Sequence, residues 1–458
     1  MEDFLYKFLH FYQFLPGFLK KITGRLYNSL PVSVKHGNFY FIYSKRLSWF
    51  QAADNLEIIT AEQTRLLFEC LDYALENIPY YRNYQKCKTL EDFKKLPVIS
   101  KSIMSLQLSR FVNPAIKRLK TNTGGSSGTP FEFYIEKNIS RPKEKAHFDW
   151  YWSQFGYSPN DKIMMVRGLP LPGNKSFEYL TINNTLNISC YNVNEKNIPV
   201  IHAEIKKFQP AFIHAYPSSL KILTSLLEPY RNTMNLSIKA IFLGSEQLTK
   251  PDRYYFENFY NAKVINWYGH TERLIHGGNC PLSEEFHFYP SYGYMELLDE
   301  NDQPVTRPGM QGRIVATGFD NKAMPFIRYD TGDIGVLSEK KECACGFKGT
   351  SLRKIIGRSQ DFIILSDGTR VSLTAFIFGQ HLKEFKKIRE MQITQDKIGE
   401  IEISIVRSQD FYRDDEESFL KTLLDSVDNK LKIKIKYVDN LSKTCSGKHV
   451  FFISSINN

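Results

Sequence analysis

Two short runs decide most of what this chain can fold into. Lys162–Gly168 reads KIMMVRG and Lys239–Glu246 reads KAIFLGSE. Each holds a compact apolar stretch of strand length and runs into a glycine, the pattern of a buried strand. The segments bounding them, near 140–156 and 217–229, carry helical patterning. Strands that alternate with helices call for an α/β architecture with a largely parallel sheet. The 458 residues are enough for one large domain and a small one.

The rest of the chain fits around that frame. Leu66, Leu67, Cys70, Leu71, Ala74 and Leu75 fall on one side at helical spacing, which predicts a helix over 61–79 ended by Pro79. LEDFKKLPVISK predicts a short helix and a proline turn, and FEFYI (131–135) predicts a strand. After about residue 284, GYMELLDENDQPVTRPGMQGRIVATGF reads as strands separated by Pro/Gly turns, an antiparallel or barrel-like piece. Past Gly357, Lys-rich amphipathic segments predict a small α+β domain of about one hundred residues.

Composition narrows the partners. Aromatics make up 14% of the residues, with 34 Phe and 26 Tyr, which supplies a core and argues against disorder. The net charge of +11 suits an anionic partner: nucleic acid, a membrane or a phosphorylated substrate. No basic tail, zinc-finger spacing or RNA-binding aromatic signature accompanies it, so nucleic acid is not expected. Seven cysteines are too sparse and uneven for a disulfide framework and point to a reducing cytoplasm. The N-terminus, MEDFLYKFLHFYQFLPGFLKK, is apolar but broken by charges and a proline. It reads as a helix packed on its own domain, with an amphipathic segment on a membrane surface as the alternative, and not as a signal peptide or a bilayer span.

The segment Thr123–Pro130 consists only of Thr, Gly, Ser and Pro, and runs straight into a predicted strand. Such a loop lets backbone N–H groups approach phosphate oxygens, and its hydroxyls donate hydrogen bonds. It has no Walker-type lysine, so ordinary P-loop chemistry is not supported. Taken alone it is as readily a mobile turn.

It is followed by LGSE (Leu243–Glu246), NWYGHTE (Asn266–Glu272), RYDTGD (Arg328–Asp333), IIGRSQDFI (Ile355–Ile363) and SKTCSGK (Ser442–Lys448). In this order the strings resemble the core motifs of the adenylate-forming ligase superfamily. IPYYRNY, LPVISK, FGYSPNDKIMMVRG and HAYPSSL are similar to its phenylacetate–CoA ligase branch, which includes CapK-type proteins of capsule polysaccharide biosynthesis. The resemblance runs from about Ile78 to the end. It implies a large N-terminal domain, residues 1–359, with parallel-rich sheets and a barrel-like subdomain, and a small mobile α+β domain, residues 360–458.

The resemblance also implies roles. Thr123, Gly124, Gly125, Ser126, Ser127, Gly128 and Thr129 would hold the β- and γ-phosphates of ATP, with Thr129 where many relatives carry Lys. Gly244, Ser245 and Glu246 would line the adenine and acyl pocket. Asn266, Trp267, Tyr268 and Gly269 would grip the nucleotide, Tyr268 by stacking on adenine. Thr271 would contact the α-phosphate and Glu272 would help hold Mg²⁺, as a hard carboxylate oxygen suits a hard cation. Asp333 would accept from the ribose hydroxyls and Arg358 would contact ribose and phosphate. Gln360 falls at the hinge, where relatives carry Asp or Lys. Lys448 would neutralise charge as the mixed anhydride forms. Tyr216, Gly244, Trp267 and His270 are candidates for the acyl pocket.

The cysteines divide. Cys280 and His287 have six residues between them, and Cys343 and Cys345 follow more than fifty residues later. Three thiols and an imidazole can make a closed tetrahedral Zn²⁺ site, a tertiary clip in place of unrelated free thiols. Members of the same branch look similar here. His276 is a spare ligand, and Cys70, Cys87 and Cys190 read as packed thiols.

The expected function is ATP-dependent adenylation of a small-molecule or glycan-linked carboxylate. Acyl transfer to a thiol, amine or hydroxyl then follows, in surface or capsular polysaccharide biosynthesis. The alternative is an aryl- or acyl-CoA ligase using CoA. A second alternative is a non-catalytic, zinc-clipped nucleotide- or membrane-binding protein. The expected location is cytoplasmic, with peripheral contact at the inner face of the membrane through the N-terminus as the alternative.

Overall fold

The computed structural model describes Tyr12 and residues 15–122, 131–167, 171, 175–189, 192–340, 342–358, 362–372, 376–377, 384, 387–427, 429–441 and 450–456. An antiparallel hairpin comes first, β1 (Arg118–Asn122) and β2 (Glu132–Glu136), with Asn122 opposite Glu132. The Gly/Ser/Thr segment 123–130 joins its two strands and lies outside the described residues.

The main sheet begins with β3 (Ile163–Arg167), β4 (Phe177–Leu180), β5 (Thr185–Ser189), β6 (Phe212–Ala215), β7 (Ala240–Gly244) and β8 (Lys263–Gly269). Five of these run parallel in the order β5-β3-β6-β7-β8, and β4 pairs antiparallel on the outer side of β5. KIMMVRG and KAIFLGSE thus supply β3 and β7 as expected. The strands are buried on both faces because each face has its own cover. Val166, Ile188, Ala215, Leu243 and Val264 pack on the helices Ile198–Phe208, Pro217–Leu227 and Lys250–Tyr260. Phe212, Phe242 and Ile265 face the helix Ser140–Ser153, where Trp152 stacks on Phe242 at 4.5 Å.

Beyond β8 the sheet continues through β9 (His276–Cys280), β10 (Ser283–Phe288), β11 (Gly293–Leu298), β12 (Gln311–Gly318), β13 (Tyr329–Leu337) and β14 (Ser351–Arg358). Their order from β8 is β9-β10-β14-β13-β12-β11, every pair antiparallel. The turn from β8 to β9 is too short for a crossover helix, so the chain must reverse direction there. Of the two forms read for this stretch, antiparallel or barrel-like, the described strands extend the parallel sheet with a linear order, β11 at one edge and β4 at the other.

The helix predicted over 61–79 spans Leu56–Asn77. It starts earlier because the Asn55 side chain caps it, accepting from Glu57 N at 2.7 Å. Its buried positions, Leu66, Leu67, Cys70, Leu71 and Ala74, are those the spacing picks out. Cys70 and Cys87 are buried thiols, and Cys190 lies outside the described residues.

The helix Gly17–Ser29 docks on β4: Lys20 Nζ lies 2.9 Å from Glu178 Oε1, and Asn28 Nδ2 donates to Thr181 O at 3.1 Å. Among the described residues no helix is long and apolar enough to cross a membrane.

The C-terminal residues form a separate sheet. A hairpin of β15 (Phe362–Ile364) and β16 (Arg370–Ser372) precedes β17 (Ile388–Lys397), β18 (Glu400–Arg407), the helix Arg413–Asp425, β19 (Lys432–Tyr437) and β20 (Phe452–Ser454). The order β19-β18-β17-β20 packs Ile393 and Ile403 against Phe419 and Leu423 of the helix.

Candidate functional site

A parallel sheet covered on both faces leaves its crevice at the carboxyl ends of the strands, where ligands of open α/β sheets bind. The motif residues collect there. Gly244 ends β7, and a Cβ on it would lie 2.5 Å from Cε2 of Trp267, so the indole lies over a position that only glycine leaves open. Ser245 follows with φ of 69°, which turns the chain sharply. That turn brings Glu246 to the N-terminus of the helix Pro217–Leu227, where its Oε2 accepts from Ser218 N at 3.0 Å.

Asn266, Trp267, Tyr268 and Gly269 are the last four residues of β8. Tyr268 Oη donates to Asp333 Oδ2 at 2.7 Å, which joins β8 to β13 across the crevice. Burial, and then the Asp333 charge, push the Tyr268 phenol well above its ordinary value, so it stays a neutral donor. Asp333 stands opposite Arg358 in the β13–β14 ladder. The Arg358 side chain lies outside the described residues.

Thr271 is exposed and Glu272 buried in the turn after β8. Tyr329 Oη donates to Glu272 Oε1 at 3.1 Å. Tyr329 in turn stacks against Phe131, 6.5 Å between ring centres, the first described residue after the Gly/Ser/Thr loop. Contacts through Tyr329 therefore link the loop's exit to Glu272, whose charge also acts on the Tyr268 phenol. Tyr329 went unremarked in the sequence, although it lies inside RYDTGD. Its neighbour Arg328 is a buried cation held by both oxygens of Glu296, at 3.1 and 3.0 Å.

The remaining predicted residues divide. Thr123, Gly124, Gly125, Ser126, Ser127, Gly128, Thr129, Gln360 and Lys448 lie outside the described residues. Of the acyl-pocket candidates, Tyr216 caps the helix that follows β6 and is buried. His270 accepts from Leu274 N at 3.3 Å, and burial lowers its pKa to about 4, so the ring is neutral near pH 7.

A second centre lies two strands away. The ligand atoms of Cys280, His287, Cys343 and Cys345 fall within 4.8 Å of one another. Cys280 Sγ is 3.7 Å from Cys343 Sγ, and Cys345 Sγ is 3.5 Å from His287 Nε2. A tetrahedron with Zn–S of about 2.3 Å puts its sulfurs about 3.8 Å apart, so these separations fit a zinc ion. Ser351 Oγ sits 2.9 Å from His287 Nδ1, the second-sphere partner that leaves Nε2 to face the thiols. His276 is not part of the group. It lies on β9 among aromatic rings, 4.4 Å from His147 and stacked on Trp267 at 5.7 Å, and burial lowers its pKa to about 3. Its place as spare ligand is withdrawn, because β9 carries it to the middle of an aromatic layer.

Comparison with known proteins agrees with this fold. Residues 363–455 match the CapK C-terminal domain family. Over 94% of its length the chain is 24% identical to protein CapK of Staphylococcus aureus, covering 97% of that protein. It is 23% identical to the phenylacetate-coenzyme A ligase of Thermus thermophilus, over 85% of this chain and 93% of that one. Among solved structures, 2-hydroxyisobutyryl-CoA ligase in the postadenylation state, in complex with R3-HIB-AMP, superposes with a TM-score of 0.65 at 18% identity. That match covers 87% of this chain and 90% of the ligase.

Proposed function

We propose that this chain, which has the fold of the adenylate-forming CoA ligases and a CapK C-terminal domain, activates a carboxylate with ATP and passes the acyl group to an acceptor. The carboxylate attacks the α-phosphorus, giving an acyl-adenylate and pyrophosphate. The acceptor's thiol, amine or hydroxyl then attacks the acyl carbon and AMP leaves.

The observation that carries the reading is the Tyr268–Asp333 pair beside the buried Glu272, at the carboxyl end of the parallel strands. Tyr268 offers a ring face for adenine, and Asp333 offers oxygens that accept from both ribose hydroxyls. Thr123–Thr129 would hold the outer phosphates through backbone N–H groups, with Thr271 on the α-phosphate and Arg358 on ribose and phosphate. Glu272 would hold Mg²⁺, which would offset phosphate charge. Lys448 would enter from a mobile domain, residues 360–458, that turns near Gln360 against residues 1–359.

The acceptor reading we favour is a sugar amine or hydroxyl in surface polysaccharide assembly, which follows from the similarity to protein CapK. The similarity to a phenylacetate-coenzyme A ligase supports CoA as the alternative. The four-ligand Cys/His group would hold a structural Zn²⁺, since four protein ligands leave no open position. The N-terminal helix would rest on an anionic membrane face. Its outward residues Phe18, Ile22 and Leu26 are 65, 51 and 62% exposed, at a spacing that aligns them on one side, and Arg25 beside them is also exposed.

The test is pyrophosphate release on adding ATP, Mg²⁺ and a panel of carboxylic acids, followed by product analysis with CoA or an amino sugar as acceptor. Lys448→Ala and Glu272→Ala are each expected to cut release by on the order of a hundredfold. Undiminished release in both variants would remove these roles, and no release with any acid would remove the reading.

A further inference from the structure

One face of the parallel sheet carries a group of polar side chains that the nucleotide reading leaves unused. Strand register puts Asn187 beside Met165 and Ser189 beside Arg167 across β5 and β3, and Met165 beside His214 across β3 and β6. Side chains two residues apart share a face, so Arg167, Ser189 and His214 stand together at the carboxyl ends of adjacent strands, about 5 Å apart. Trp152 lies edge-on to His214 at 4.9 Å, and Trp267 is 6.4 Å away.

Their hydrogen-bonding atoms are left over in a consistent way. Arg167 Nη2 lies 2.6 Å from His214 Nε2. A guanidinium can only donate, so Nε2 accepts and His214 carries its proton on Nδ1. Burial holds His214 well below its usual pKa, which keeps it neutral. Arg167 Nε, His214 Nδ1, Trp267 Nε1, Trp152 Nε1, Ser189 Oγ and, on the same face, Asn187 Oδ1 are buried with no hydrogen-bond partner among the described residues. Four of these are N–H donors, one is a hydroxyl and one, Asn187 Oδ1, is an acceptor.

Arg167 stays charged; its guanidinium lies over the Tyr216 ring, 5.2 Å from the centroid, and among the described residues no Asp or Glu pairs with it. The segment that follows it, Gly168–Asn174, contains no acidic residue. A cation without a counter-ion, buried among more donors than acceptors, is costly to the free protein unless a ligand completes the group.

We propose that this face binds a second oxyanion on the acyl substrate, a carboxylate or phosphate remote from the carboxyl that is activated, with Arg167 as its counter-ion and His214 Nδ1–H as a further donor. The inference rests on the adenylation reading and adds to it the substrate class: an acid with two negative groups. Trp267 lies 6.4 Å from His214 and packs over Gly244, so it stands between this face and the motif residues that end β7.

The test uses matched probes: butanoate against butanedioate, benzoate against benzene-1,4-dicarboxylate, and an O-phosphorylated hydroxy acid to separate phosphate from carboxylate. Pyrophosphate release is read in the wild type, Arg167→Met and Arg167→Lys, and melting temperature is read with each acid alone. A dianionic acid is expected to exceed its monoanionic partner by at least about 100-fold in kcat/KM, because a site built for a polar group rejects the analogue lacking it. Arg167→Met should abolish that preference and Arg167→Lys should keep part of it. Unliganded Arg167→Met should melt no lower than the wild type, since it loses an uncompensated charge, whereas a merely structural arginine would lower it.

Preferred turnover of monoanionic acids in the wild type overturns the inference and leaves the adenylation reading standing. An unchanged preference in Arg167→Met does the same. Stabilisation by a dianion that needs Arg167, without pyrophosphate release from any acid, supports the site and removes the adenylation reading. Neither response with any probe overturns both.

Discussion

Asp320 binds two cations with one oxygen, and neutralising it should destabilise the large sheet measurably. Its Oδ2 lies 2.9 Å from Arg46 Nη1 and 3.0 Å from Lys143 Nζ. The side chains of Lys143, Asp320 and Arg46 are 3, 8 and 18% exposed, so solvent screens the group little. Arg46 belongs to the helix Asn38–Ala52 and Lys143 to Ser140–Ser153, while Asp320 follows β12, so the carboxylate ties two helices to the sheet. At an effective dielectric of about 20, each contact is worth roughly 5 kcal/mol before desolvation. Removing one partner of a buried pair costs about 3–5 kcal/mol, because the other charge is left uncompensated. In Asp320→Asn, Lys143 would keep Tyr292 O at 2.7 Å and the rings of Tyr292 and Tyr43, neither of which supplies a counter-charge. With about 350 residues melting together, the unfolding entropy is about 0.7 kcal/mol/K, so the loss amounts to a melting temperature lower by roughly 4–7 °C. Burial alone would raise the Asp320 pKa, but Lys143 and then Arg46 outweigh it and hold it below the usual carboxylate value. A depressed carboxylate contributes stability above its unfolded pKa and loses it as the pH falls through the folded one. The gap between wild type and Asp320→Asn, followed by thermal denaturation, should therefore be full near neutrality and close in acid below the ordinary carboxylate range. Adding Lys143→Met to Asp320→Asn should recover part of the loss, as it removes the stranded cation. A shift under about 1 °C at neutral pH, or a gap that persists unchanged in acid, would refute this reasoning.

The Cys/His group should bring about one equivalent of zinc through purification, measured by elemental analysis. Cys343→Ser and Cys345→Ser should lose it and melt at lower temperature, and metal-free wild type with an unchanged melting curve would count against the site. Anionic vesicles should float with the wild-type chain, and Ile22→Asp with Leu26→Asp should weaken flotation at least about tenfold, since each apolar side chain is worth roughly 1.5–3 kcal/mol when buried. Equal flotation of the double variant would remove the lipid contact.

What could be read ahead of the structure follows from where each signal lives. β3 and β7 were legible because burial on both faces leaves an apolar run in consecutive residues. The helix Leu56–Asn77 was legible in its buried stripe, while its start was set by one side-chain bond from Asn55 that periodicity does not report. The Cys/His group was legible across sixty residues because three thiols and an imidazole are few and have a common use. His276 shows the limit of that reasoning, since its residue type suggests a ligand and its strand position forbids it.

Pairings that depend on register were out of reach. Nothing in local spacing joins Tyr329 to Glu272, 57 residues apart, or Arg167 to His214, 47 apart. The second arises because parallel strands bring residues far apart in sequence to one face, and the first because β13 returns beside the turn after β8. The same rule explains why the leftover donors gather instead of scattering. Along β3, Met164 and Val166 face the aliphatic layer, and Arg167 must then face the other way. A shift of one residue in β3 would bury the guanidinium among Ile201, Leu220 and Leu223, where no ligand could reach it. The register that completes the core is therefore the one that delivers an unpaired cation to the mouth of the sheet.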